Sequence, residues 1–112
     1  MTIAWTIRGA SSEDFAEIRR LFLECRLDVP SELPMEPADH VHLIVLDAPE
    51  GGLAGAALLI LEPHKGQVAL LAVDLRYQGL GIEERLIGVS EALSEALGVH
   101  NFEVASVCLR HY

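Results

Sequence analysis

The chain has 112 residues, enough for one domain around one hydrophobic core and too few for two. Hydrophobic residues make up 51% and charged residues 22%, with three Phe, one Trp and two Tyr, which excludes a disordered chain and calls for a mostly aliphatic core. The formal charge is −9, from 17 acidic against 8 basic residues, and no basic stripe or tail exists, which argues against a nucleic-acid or anionic-membrane surface.

Cys25 and Cys108 are too few and too unpatterned for a disulfide framework, and neither belongs to a CxxC pair, so a reducing cytoplasm is the expected compartment. The N-terminus lacks the basic start and long apolar run of a signal peptide, and no apolar stretch is long enough to span a bilayer.

Ile3, Trp5 and Ile7 alternate with Thr2, Ala4, Thr6 and Arg8, the period of a strand with one buried face. Ser11 and Asp14 then have the spacing of a capping box, and Phe15, Ile18, Phe22 and Cys25 recur at helical spacing beside Leu21, which predicts a helix over 12–26. Pro30, Pro34 and Pro37 exclude a long helix over 27–39 and predict a loop with one short helical turn at 31–35. A loop of that length is either a lid or a detour around the sheet edge.

Residues 40–46 and 53–61 read as two strands of an antiparallel hairpin, joined by the turn-rich segment 47–52. A second turn at 63–66 leads into 67–73, whose near-continuous apolar character predicts a central strand covered on both faces. After the Gly79 and Gly81 pair, Ile82, Leu86, Val89, Leu93 and Leu97 form one stripe of a helix over 83–97, closed by Gly98. Phe102, Val104, Ser106 and Cys108 predict a last strand over 102–109, parallel to the one before the helix.

The stretch from Ala69 to Leu97 is thus a strand, a glycine turn and a helix. Glycine lets the backbone turn tightly and come close to a ligand, and a helix N-terminus offers free N–H groups to an anion such as phosphate.

This order of elements, and the residues Val73-Asp-Leu-Arg-Tyr-Gln-Gly-Leu-Gly-Ile82 within it, resemble the GNAT N-acyltransferase superfamily, whose signature is Q/R-x-x-G-x-G/A. Gln78 matches its first position, Gly81 its central glycine, and Gly79 a glycine common between them. The resemblance runs from Ile3 to Leu109 and implies a mixed-sheet α+β fold of one domain over 1–112, in the order β-α-(α)-β-β-β-α-β, lacking the family's last helix and hairpin. It further implies acetyl-CoA as cosubstrate, with Leu71, Ala72 and Val73 pairing the pantetheine arm and Gln78, Gly79, Leu80, Gly81 and Ile82 holding the pyrophosphate.

Two departures from the family pattern stand out. Glu83 occupies the last signature position, normally Gly or Ala, and so puts a carboxylate where a phosphate would approach. The chain also stops at His111-Tyr112, and Tyr112 does not match the family's helical Tyr; the edge of the last strand is expected to need a cover, which a homodimer supplies.

Acyl transfer to an amine needs a base and an oxyanion-stabilising N–H. Asp74 and Glu62 are the nearest carboxylates by topology, and His64 shares their position; each is equally readable as a turn residue. His40 and His42 share a strand face, but no further ligand accompanies them, so no metal site is expected. Both cysteines read as core.

The expected function is transfer of an acetyl or short acyl group from CoA to an amine, on a small molecule or a protein. The alternative is a GNAT-like domain without catalysis, serving as a ligand-sensing or dimerising module.

Overall fold

The computed structural model describes residues 5–24 and 40–104. Ile3, Cys25, the expected loop over 27–39, Cys108 and Tyr112 lie outside them. Five strands form one sheet in chain order: β1 (Thr6–Gly9), β2 (Val41–Asp47), β3 (Leu53–Glu62), β4 (Lys65–Val73) and β5 (Phe102–Val104). The first four are antiparallel to their neighbours and β5 is parallel to β4. Helix α1 (Phe15–Glu24) follows a 3-10 turn at Ser12–Asp14, and α2 (Ile82–Ala96) connects β4 to β5.

The two helices cover opposite faces of the sheet. Ile18, Leu21 and Phe22 of α1 are fully buried against Val45, Leu53, Ala56, Leu58 and Ala72. Ile82 and Leu86 of α2 pack on Ile44, Leu46, Leu59, Val68, Leu71 and Val73. β3 is the middle strand of the sheet and is buried along nearly its whole length, while β4, the strand expected to be central, lies between β3 and β5 with residues buried on both faces.

Strand β4 was expected to start at residue 67 after a four-residue turn. It starts at Lys65, because Lys65 pairs with Glu62 across a two-residue loop and the Gly66 N–H donates to the Asn101 carbonyl at 2.7 Å. A β-bulge then interrupts it: Leu59 pairs with Val68 but Leu58 pairs with Leu70, so Ala69 is the extra residue. The bulge switches the parity of the strand. Val68 faces α2 before it, and Leu71 and Val73 do so after it, while Ala72 faces α1.

Helix α2 also departs from the expected stripe. Its buried residues are Ile82, Leu86, Ser90 and Ser94, whereas Val89 is 36% and Leu97 52% exposed. The cause lies in the sheet below. A side chain on Gly55 would press on Leu86, Ile82 and the Ala72 carbonyl, and one on Gly66 would collide with the Ser94 hydroxyl. The helix therefore sits close to the sheet, with Ile82 and Leu86 seated over Gly55 and only a serine fitting over Gly66. Both hydroxyls are satisfied, Ser90 donating to the Leu86 carbonyl at 2.7 Å and Ser94 to that of Val99 at 3.0 Å. Gly98, at φ 86°, ends the helix: its N–H donates to the Glu95 carbonyl and that of Val99 to Ser94.

At the other end of the chain Asp14 does more than cap. Its carboxylate accepts the Ser11 N–H at 2.8 Å and receives the Arg8 guanidinium at 2.7 and 3.0 Å, while the same guanidinium grips Asp47 at 2.7 and 3.0 Å. This joins β1, the end of β2 and the entry to α1. The Arg8 hydrogen bonds hold the Asp14 carboxyl at about 2, below its ordinary value of 3.8. Because the folded value is the lower one, the added stability is complete above about pH 4 and is lost as pH falls through about 2. Arg8 is partly solvated, which limits the contribution to about 1 to 2 kcal/mol. Denaturant titrations at pH 5 and pH 2 should show the native chain losing that much more than Asp14→Asn; equal losses would remove Asp14 from the account.

Candidate active site

Strand β4 ends at Val73, and Asp74 caps a 3-10 turn at Leu75–Tyr77 that the sequence patterning did not reveal. Tyr77 meets Trp5 edge to face at a centroid distance of 5.5 Å, and Arg76 lies over the Tyr77 ring. Gln78 reaches back to donate to the Val73 carbonyl at 3.4 Å. Gly79 and Gly81 follow, both in the left-handed region at φ 84° and 79°, a conformation that side-chain-bearing residues rarely adopt.

Gly81 is the N-cap of α2, and its carbonyl accepts the Arg85 N–H at 3.2 Å. The N–H groups of Ile82, Glu83 and Glu84 precede that first helical bond and have no intrahelical acceptor. Among the described residues the space above both glycines is open, with nothing within 4 Å of where a Cβ would stand. The geometry is a shallow cradle of N–H donors at the positive end of a 15-residue helix, suited to an anion. It fits the phosphates of a CoA donor in donors and in space. Against it stand two carboxylates, Glu83 and Glu84, in the first turn of α2.

Leu71, Ala72 and Val73, immediately after the bulge, are buried at 0, 1 and 2% exposure. Among the described residues the β4–β5 ladder covers only Gly66 to Val68 against Phe102 to Val104, on the other side of the bulge.

The two carboxylates expected near the chemistry stand far apart. Asp74 follows the C-terminal end of β4, and Glu62 pairs with Lys65 at its start, a separation of about 25 to 30 Å along the strand. Asp74 is 6% exposed, and its side-chain bonds to Arg76 lower its carboxyl below the ordinary aspartate value. Glu62 is exposed.

His64 occupies the β3–β4 loop and shares with Glu91, His100, Asn101 and Phe102 a polar groove of about 560 Å³ at the end of the sheet away from the glycine turn. Its carbonyl accepts from the Asn101 amide at 3.0 Å, and Lys65 pairs with Glu103 at 2.8 Å beside it. His40 is exposed and His42 half-buried, its Nε2 buried without a hydrogen-bond partner among the described residues. Among the described residues no group of three or more metal-binding side chains comes together, and no helix is long and apolar enough to cross a membrane.

The sequence matches no protein-family model and no curated protein. Solved structures do match. A transcriptional regulator from Bacillus halodurans C-125 aligns with TM-score 0.76 at 16% identity, over 92% of this chain and 82% of that one. An acetyltransferase from Trypanosoma brucei aligns with TM-score 0.73 at 18% identity, over 92% and 83%. N-acetylglutamate synthase from Neisseria gonorrhoeae, complexed with coenzyme A and N-acetyl-glutamate, aligns with TM-score 0.72 at 24% identity, over 88% of this chain and 24% of that one. With its mixed five-stranded sheet, a helix on each face and a glycine turn between β4 and α2, the chain has the fold of the GNAT N-acetyltransferase superfamily.

Proposed function

We propose that the protein transfers an acetyl or other short acyl group from CoA to an amine, by direct attack of the amine on the thioester. The observation that carries this reading is the turn at 78–82: two left-handed glycines under open space, at the N-terminus of the helix that follows a bulged, buried strand. The coenzyme A bound in the Neisseria gonorrhoeae structure of the same fold supports it.

In this reading the backbone of Leu71, Ala72 and Val73 lines the pantetheine arm, and Gly79, Leu80, Gly81 and Ile82 hold the pyrophosphate through their N–H groups, the Gln78 N–H being turned to the Leu75 carbonyl. Bound acetyl-CoA supplies an electrophilic thioester carbonyl and a thiolate leaving group. A backbone N–H of β4 stabilises the oxyanion, and a base or water chain accepts the ammonium proton so that the amine can attack. Asp74 is held as an anion by arginine, which weakens it as a proton acceptor, and Glu62 stands at the opposite end of β4 from the glycine turn, so neither carboxylate is assigned that task. A net charge of −9 suits a cationic acceptor, small molecule or protein.

Calorimetric titration with acetyl-CoA tests the reading. Saturable binding with a Kd between about 1 μM and 1 mM is expected, the usual range of enzyme–substrate affinity. No heat at millimolar ligand would sink it.

A further inference from the structure

Among the described residues, Asp74 is the one ionisable side chain that is buried. Its Oδ1 accepts the Arg76 backbone N–H at 2.9 Å and Nε at 3.1 Å, and its Oδ2 accepts Arg76 Nη2 at 3.2 Å. Its backbone is held as well: the Asp74 N–H donates to the Ala54 carbonyl at 2.8 Å, and its carbonyl accepts the Tyr77 N–H at 2.9 Å.

The carboxylate also faces the other layer of the fold. Arg20 Nη2, from α1, lies 3.9 Å from Asp74 Oδ2 and 3.6 Å from Glu17 Oε1, and that same Glu17 oxygen accepts the N–H of Leu53, the first residue of β3, at 2.9 Å. A continuous polar chain thus runs from α1 and the start of β3, through Asp74, to the residues that enter the glycine turn. The carboxylate is buried where water cannot replace a lost partner, so each bond constrains the turn more than an exposed ion pair would.

We infer that Asp74 is a positioning residue for the glycine turn: by gripping Arg76 and facing Arg20 it ties the entry of the turn to α1 and sets where the N–H groups after it point. The inference rests on the donor-site reading of that turn. It predicts a loss specific to the phosphorylated end of the donor. Asp74→Asn keeps the shape but presents an amide donor to guanidinium donors and removes the charge that holds them.

The experiment compares acetyl-CoA with acetyl-pantetheine, which lacks the nucleotide and its phosphates. Asp74→Asn should raise the KM for acetyl-CoA about 10- to 100-fold at unchanged kcat, the size of effect that small misplacement of binding groups produces. The KM for acetyl-pantetheine should stay as in the native chain. Arg76→Gln, a change at an exposed side chain that spares the buried carboxylate, should shift acetyl-CoA in the same direction and provides the test if Asp74→Asn does not fold.

An equal loss for both donors would mean a general structural role and overturn the inference. Unchanged or tighter acetyl-CoA binding in Asp74→Asn would also overturn it, by showing Arg76 to be sequestered and not positioned. If the native chain binds neither donor, the donor-site reading itself fails; amide exchange then decides the inference alone. Tyr77 should exchange about tenfold faster in Asp74→Asn while β2 and β3 amides stay unchanged, and an unaltered Tyr77 rate would overturn the tether.

Discussion

Gly66→Ala lowers the unfolding free energy by about 1 to 3 kcal/mol, the usual range for overpacking a close-packed site. The added methyl would collide with the Ser94 hydroxyl, and it would stand 3.1 Å from Ser94 Cβ and 3.2 Å from Leu61 Cδ2. The hydroxyl cannot rotate away without cost, because it donates to the Val99 carbonyl at the C-terminal end of α2. Losing that bond costs about 0.5 to 1.5 kcal/mol. Either the bond breaks or α2 lifts from β4, and lifting forfeits contact along the whole buried stripe.

Ser94→Ala in the Gly66→Ala background removes the colliding oxygen and should recover part of the loss, so the double-mutant cycle has a coupling of about 0.5 kcal/mol or more. Denaturant titration of the four proteins measures it. Simple additivity would show that Gly66 and Ser94 do not seat the helix together, and an unaffected Gly66→Ala would show that the helix has room to spare.

That contact also explains where the sequence stripe of α2 fails. Ile82 and Leu86 are buried and Leu93 packs on the core as the periodicity requires, but Val89 and Leu97 are exposed, and Ser94 takes the buried place against Gly66, where the sheet lies too near for a larger side chain. Smallness of a helix residue carries no apolar signal, so Ser90 and Ser94 are invisible to patterning, while Gly55 reads as an ordinary strand glycine and Gly66 as the last residue of a turn. The bulge at Ala69 is hidden for a related reason. In Ala69-Leu-Leu-Ala-Val73 every residue is apolar, so a switch of parity leaves no trace in the alternation. Element order and type, by contrast, follow from turn residues and periodicity that are local, and the strands, the hairpin and both helices of the described residues stand where those signals put them, within two residues at most ends.

The glycine turn was legible because only glycine takes φ near 80° without strain, and two of them before an amphipathic helix is a local pattern. The surroundings of Asp74 were not. Its partner Arg20, and Glu17 that Arg20 also meets, lie more than fifty residues away on α1, and nothing in the sequence says which arginine a given carboxylate will meet. The same holds for Arg8, whose grip on Asp14 and Asp47 joins three elements through contacts of six and 39 residues' separation.

On the donor-site reading of the glycine turn, Glu83→Ala should strengthen acetyl-CoA binding about tenfold, a gain of about 1.4 kcal/mol. Glu83 is the second residue of α2, half-buried, in the turn whose N–H groups lack intrahelical acceptors. With no ligand its carboxylate complements the positive end of the helix, worth about 0.3 to 1 kcal/mol. A phosphate approaching the same N–H groups loses that complementarity and meets a like charge; at about 5 Å and an effective dielectric near 20 the repulsion is about 3 kcal/mol before salt screening and side-chain withdrawal reduce it. Removal of the carboxylate therefore trades a small loss of stability for a larger gain in affinity. Glu83→Gly should gain as much affinity but lose about 1 kcal/mol more in stability, since glycine disfavours the helix. Glu84→Ala is the control: Glu84 is exposed one position on, and its effect on affinity should be several-fold smaller. Raising salt to 0.5 M should shrink the advantage of Glu83→Ala, because the repulsion it removes is screened there in the native chain as well. Calorimetry with acetyl-CoA at two salt concentrations reads all four proteins. A native affinity equal to that of Glu83→Ala would mean that the carboxylate swings clear of the cradle, and an equal gain at Glu84 would mean that net charge, and not the place of Glu83 in the turn, governs the site.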